Sequence, residues 1–117
     1  MKKSTLKSMT TITIIKSKNG NYERVICEGH VGFADAGSDV VCSAVSMLVI
    51  NTINSLDVLL KVPMQVGSDE EKGLIDCRFM EDLNEGGRLL VDSMILGLKS
   101  VVSQYGRKYL KLKFKEV

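Results

Sequence analysis

Apolar and polar positions along this chain change period several times, and the changes mark out its elements. Thr11 to Ile15 and Tyr22 to Glu28 are largely β-branched or aromatic, with Asn19-Gly20 between them as a turn of the positive-φ kind, so a β-hairpin is predicted. The second strand ends at Gly29, and residues 29 to 38, rich in glycine and alanine, carry neither period; a mobile loop is expected. Ser38 or Asp39 can cap the next segment, where Val41, Ala44, Val45, Leu48, Thr52, Leu56 and Leu59 recur at helical intervals. Pro63 stops that helix and releases an extended stretch, Met64 to Val66. Gly67 to Gly73 (GSDEEKG) reads as a polar turn and Leu74 to Met80 as the other strand of a second hairpin. Gly86-Gly87 breaks the chain ahead of a helix near 88 to 105, with Leu90, Met94, Leu98, Val101 and Val102 inward and Gly106 at its end. In the closing YLKLKFKEV, Leu110, Leu112 and Phe114 alternate with Lys111, Lys113 and Lys115, as in a strand with one wet face. The order ββ-α-ββ-α-β predicts an α+β fold, a mixed or antiparallel sheet of about five strands with two helices.

Length and composition narrow this further. The 117 residues suit one domain, with residues 1 to 9 expected as a poorly ordered extension, and 44% apolar with 26% charged residues is a globular composition. No stretch is expected to cross a membrane, because Asn51, Asn54, Ser55 and Asp57 cut the longest apolar run. Ser4, Thr5, Lys7 and Ser8 interrupt any signal-peptide core, and three cysteines without a CxxC spacing argue against a disulfide framework or a zinc site. A reducing, cytoplasmic setting is expected, with no metal and no cofactor. Lysines cluster at both ends (Lys2, Lys3, Lys7; Lys108, Lys111, Lys113, Lys115) and read as solubilising, edge-protecting charges, an anionic partner such as RNA being the alternative.

The candidate chemistry lies between the two patterns. His30, the sole histidine, follows the second strand, and Cys42 stands twelve residues later, near the start of the long helix. With Asp39 as cap, Cys42 would be the third helical residue, where unpaired amides and the helix dipole favour thiolate and where its own amide could hold an oxyanion. Asp39 works against this, since a carboxylate opposes thiolate formation and a cap occupies an amide; its role stays open between capping and orienting His30. By spacing alone, two buried residues that happen to lie near each other explain the pair as well. Cys27 and Cys77 sit inside strand patterns and read as core.

Residues 29 to 46, GHVGFADAGSDVVCSAVS, closely resemble the ribosomal-processing cysteine protease family, Prp, whose members show a pattern like GHA-x(5,6)-G-x-DIVCAAVS. Gly29, His30, Gly37, Asp39, Val41, Cys42 and Ser46 fall on motif positions, while Val31 replaces the usual alanine, and about eight extra residues leave both Met1 and Met9 open as the start. The resemblance implies a cytoplasmic, homodimeric endopeptidase that removes the amino-terminal extension of a bacterial large-subunit ribosomal protein, cutting after a Phe-Phe pair. It implies Cys42 as nucleophile, His30 as general base and acid, Asp39 and Ser46 in support, and the loop containing Gly29, Gly32, Phe33 and Gly37 as a lid. Val31, Phe33, Val45 and Leu48 are the residues expected to form an apolar substrate pocket.

Two rivals remain. A non-catalytic ribosome- or RNA-associated module would use the lysine-faced last strand, but no recognised motif sets aromatics among basic residues as in single-strand binders. A redox sensor built on Cys42 alone lacks an obvious resolving cysteine.

Overall fold

In the computed structural model, which describes residues 10–29, 36–69, 71 and 73–117, strand β1 (Thr10–Lys16) turns Ile12 and Ile14 to one side of the sheet, both fully buried, and Thr11 and Ile15 to the other. Strand β2 (Tyr22–Glu28) lies antiparallel to it, with Cys27 opposite Ile12 and Val25 opposite Ile14. The turn between them closes through the Gly20 N–H, which donates to the Ser17 carbonyl at 2.9 Å. A second hairpin, β3 (Met64–Asp69) and β4 (Leu74–Phe79), joins the far side of β2, where Cys77 pairs with Val25. Strand β5 (Leu110–Glu116) runs parallel to β1, placing Leu110 beside Thr10 and Leu112 beside Ile12. The strand order is β3-β4-β2-β1-β5, a five-stranded mixed sheet in an α+β fold, as the order of elements predicts.

Helices α1 (Ala36–Val58) and α2 (Glu85–Tyr105) cover the apolar side of this sheet. From α1 the core receives Val41, Val45, Val49 and Leu56; from α2, Val91, Met94, Ile95 and Leu98. The helices approach closely at Gly97, where an added Cβ would lie 2.9 Å from Leu48 Cδ2. Stretch Val40–Val58 has a mean hydropathy of 1.4 and is long enough to cross a membrane by composition, contrary to the expectation that no such stretch exists. Its inward positions Val41, Val45, Val49 and Leu56 complete the core, while Val40, Met47, Ile50 and Val58 are exposed.

Several boundaries differ from those read in the sequence. Helix α1 starts at Ala36, so neither Ser38 nor Asp39 is its cap; both are also tolerated within a first turn, where acids meet the positive helix end. Helix α2 starts at Glu85, and Gly86-Gly87 forms its first turn instead of breaking the chain. The Asn84 side chain caps that turn by accepting the Gly87 N–H at 2.8 Å, and a Cβ on Gly87 would press to 3.1 Å from Leu83 Cβ, so the glycine serves close packing. The inward side of α2 is centred on Val91, Met94, Ile95 and Leu98, rotated slightly from the predicted one. Strand β3 continues to Asp69 because Gly67, Ser68 and Asp69 pair with Asp76, Ile75 and Leu74, a ladder that polar residues on an edge strand sustain.

Candidate active site

Cys42 is the seventh residue of α1, one turn deeper than expected. At that position its amide belongs to the intrahelical ladder, so the expectation that the Cys42 N–H is an unpaired oxyanion donor is overturned. The side chain is 7% exposed and faces the sheet, where Thr10 Oγ1 lies 3.7 Å from Sγ. Thr10 is held in turn by its N–H, which donates to the Tyr109 carbonyl at 2.9 Å. The candidate nucleophile therefore rests on the first residue of β1.

The hairpin register brings the end of β2 to the same place. Thr11 pairs with Glu28, and Gly29 follows at φ +90°, a left-handed conformation in which glycine avoids a Cβ clash and the chain leaves the sheet. The next residue is His30. It lies outside the described residues, as do Gly32 and Phe33 of the expected lid and Val31 of the expected pocket. Gly37 and Asp39 fall in the first turns of α1, and Ser46 follows Cys42 by one turn on the same side of the helix. Sheet register sets the end of β2 beside the start of β1, and the Thr10 contact brings Cys42 of α1 to that same end.

Beside this point is a cleft of about 480 Å³ lined by Cys27, Ser46, Ser68, Asp69, Gly73, Leu74 and Ile75. It runs between α1 and the β3–β4 hairpin, with Cys27, Leu74 and Ile75 as its apolar wall. Of the residues expected to form a pocket, Val45 is 1% exposed in the core and Leu48 is taken up against Gly97. Neither lines the cleft. Leu74 and Ile75 were beyond reach of local patterns, because only the pairing of β4 with β2, which sets Ile75 opposite Cys27, brings them to this cleft.

The other two thiols are inert for a stated reason. Burial, and then the neighbouring charge of Cys42 and Glu28, pushes the Cys27 thiol up to about 11; burial and Asp76 push Cys77 up to about 11 as well. Both are therefore expected to resist iodoacetamide at pH 8 in the native protein and to react once it is unfolded. Rapid labelling of either in native protein would contradict the assignment. Because each ordinary value is 9.0, the unfolded chain releases these protons first as pH rises, so stability is full below pH 9 and falls between 9 and about 11. The loss is about 2 to 3 kcal/mol per thiol, and urea titrations at pH 8.5 and 10.5, with and without Cys77→Ala, measure it.

A sequence model of the family described as cysteine protease Prp matches residues 9–111. The ribosomal processing cysteine protease Prp of Staphylococcus aureus (strain Mu50) is 23% identical over 107 residues, covering 92% of this chain and 100% of that protein. The Bacillus subtilis protein of the same name is 29% identical over 101 residues, covering 83% and 90%. Among solved structures, the S. aureus essential ribosomal processing protease Prp in complex with a substrate peptide superposes with a TM-score of 0.84 at 22% identity, over 92% of this chain and 100% of that one. A Streptococcus mutans protein superposes with a TM-score of 0.82 at 27% identity, over 93% and 99%.

Proposed function

The chain belongs to the cysteine protease Prp family and is a cysteine protease, and from that premise we propose that it removes the amino-terminal extension of a large-subunit ribosomal protein, with Cys42 as nucleophile and His30 as general base and acid. The observation that supports this reading is the meeting of Cys42 with Thr10 at the end of the sheet where β2 hands on to His30. Relatives named as ribosomal processing proteases support the substrate class.

In this mechanism His30 takes the Cys42 proton, and the thiolate attacks the carbonyl of the residue before the scissile bond. The tetrahedral intermediate collapses as the imidazolium protonates the leaving amine, giving a thioester and a free new amino terminus. Water, deprotonated by His30, then adds to the thioester, and the thiol departs to release the carboxylate. The Cys42 amide is committed within α1, so the oxyanion is met by donors on other residues. Asp39 and Ser46, one turn to either side of Cys42, support the pair. The cleft walled by Cys27, Leu74 and Ile75 takes the apolar residues that precede the cut, a Phe-Phe pair. The enzyme works as a cytoplasmic homodimer.

A Phe-Phe peptide ending in a chloromethyl ketone tests the dyad. One equivalent is expected to attach to Cys42, and His30→Gln is expected to slow attachment by about a hundredfold or more. Attachment to Cys27, or an unchanged rate in His30→Gln, would overturn the assignment.

A further inference from the structure

Of the two basic clusters at the chain ends, the carboxy-terminal one is the larger. Residues 93–115 hold Lys99, Arg107, Lys108, Lys111, Lys113 and Lys115 and no acid, a charge of +6, whereas the whole chain carries +2, which leaves −4 for the remainder. The same segment holds three of the six aromatic residues, Tyr105, Tyr109 and Phe114. Their intervals are irregular in sequence and hide the association. The fold makes it plain, because β5 lies beside α2 and a groove of about 550 Å³ opens between them, lined by Lys99, Val102, Arg107, Leu110, Lys111, Leu112 and Phe114.

The groove has an apolar floor and a cationic rim. Phe114 is 51% exposed, with the Lys99 ammonium 5.6 Å from its ring centroid. Strand β5 is an edge strand, and Lys111, Lys113 and Lys115 are exposed along it. A second copy adding its own β5 there would set lysine against lysine, which disfavours that occupant. A partner with regularly spaced negative charges and flat apolar faces matches both features, and that is the chemistry of a single-stranded nucleic acid.

We infer that the groove between α2 and β5 binds single-stranded RNA, its phosphates meeting Lys99, Arg107 and Lys111 and a base stacking on Phe114. The choice of RNA over DNA rests on the ribosomal substrate proposed above. Leu110, at one end of the groove, lies beside Thr10, whose hydroxyl touches Cys42. RNA held here would run close to the active centre and keep the protease beside an RNA-bound precursor.

Fluorescence anisotropy with a labelled ten-nucleotide RNA of mixed sequence tests this on the full chain. Three phosphate contacts predict affinity falling by about twentyfold between 50 and 200 mM salt, at about 0.7 in the log–log slope per contact. Lys111→Ala is expected to lower that slope by about 0.7, and Phe114→Ala to weaken binding by about tenfold. Cys42→Ala should bind RNA like the parent, and the groove variants should cleave a free peptide like the parent, so failure of this inference is separable from failure of the protease mechanism. Absence of binding at 50 mM salt, or binding unmoved by either groove variant, would overturn it. Tighter binding of DNA of the same sequence would overturn the RNA assignment, and equal binding of polyglutamate of matched charge would transfer the groove to an acidic protein partner.

Discussion

Cys42→Ala is expected to lower peptide cleavage by about a thousandfold or more, since nothing else in the site can form the thioester. The same change costs the fold little. Cys42→Ala removes a single buried sulfur, whose contacts include Thr10 Oγ1 at 3.7 Å, at a cost of about 1 kcal/mol, and urea titration measures that cost beside the rate. Cys77→Ala provides the opposite pattern. Cys77 is 0% exposed, packs its Sγ 3.6 Å from Met64 Sδ and does not line the cleft. Its truncation is expected to cost about 1 to 2 kcal/mol of stability and to leave the rate per folded molecule unchanged. A large rate loss in both variants would mean that Cys42 acts through the fold and not through chemistry.

The largest expected effect on stability comes from Ile12→Ala, about 3 to 4 kcal/mol. Ile12 is 0% exposed, pairs with Cys27 on one side and Leu112 on the other, and lies under the helices in the common core. Its truncation opens a cavity bounded by strand backbone on both flanks, where neighbours cannot collapse inward. Since small domains commonly have only about 5 to 15 kcal/mol in total, this variant should show a markedly lower urea midpoint. Ile15→Ala, on the opposite side of the same strand and only half-buried, should cost well under half as much. Equal losses at the two positions would contradict the assignment of the core to the helix side. Ile12 also lies two residues from Thr10, so residual activity in Ile12→Ala should melt away at a lower temperature than in the parent.

The strands were legible because their period is local. Ile12 and Ile14 in β1, and Leu110, Leu112 and Phe114 in β5, announce their faces by alternation, and the structure keeps those faces. The helix starts were less so, because capping residues mark where a helix can begin and tertiary packing decides where it does. Asn84 and the close contact of Gly87 with Leu83 move the start of α2 ahead of its glycine pair. At α1 the same kind of shift carries Cys42 from the third position to the seventh and removes the oxyanion role drawn for its amide. Sheet order is a further step away, since nothing local says that β4 pairs with β2 or that β5 runs parallel to β1. That order supplies the cleft wall of Leu74 and Ile75 and the basic groove beside β5, so neither could be read from spacing.

On the mechanism proposed above, Cys42 cuts a ribosomal protein precursor after its apolar extension. Incubating the protein with a peptide whose apolar stretch ends in Phe-Phe ahead of a small residue, and weighing the products by mass spectrometry beside Cys42→Ala and Cys42→Ser, tests it most directly. Two fragments divided after the second phenylalanine are expected with the parent, and intact peptide with both variants. Cleavage by either variant at the parent's rate, or intact peptide with the freshly reduced parent, would contradict it.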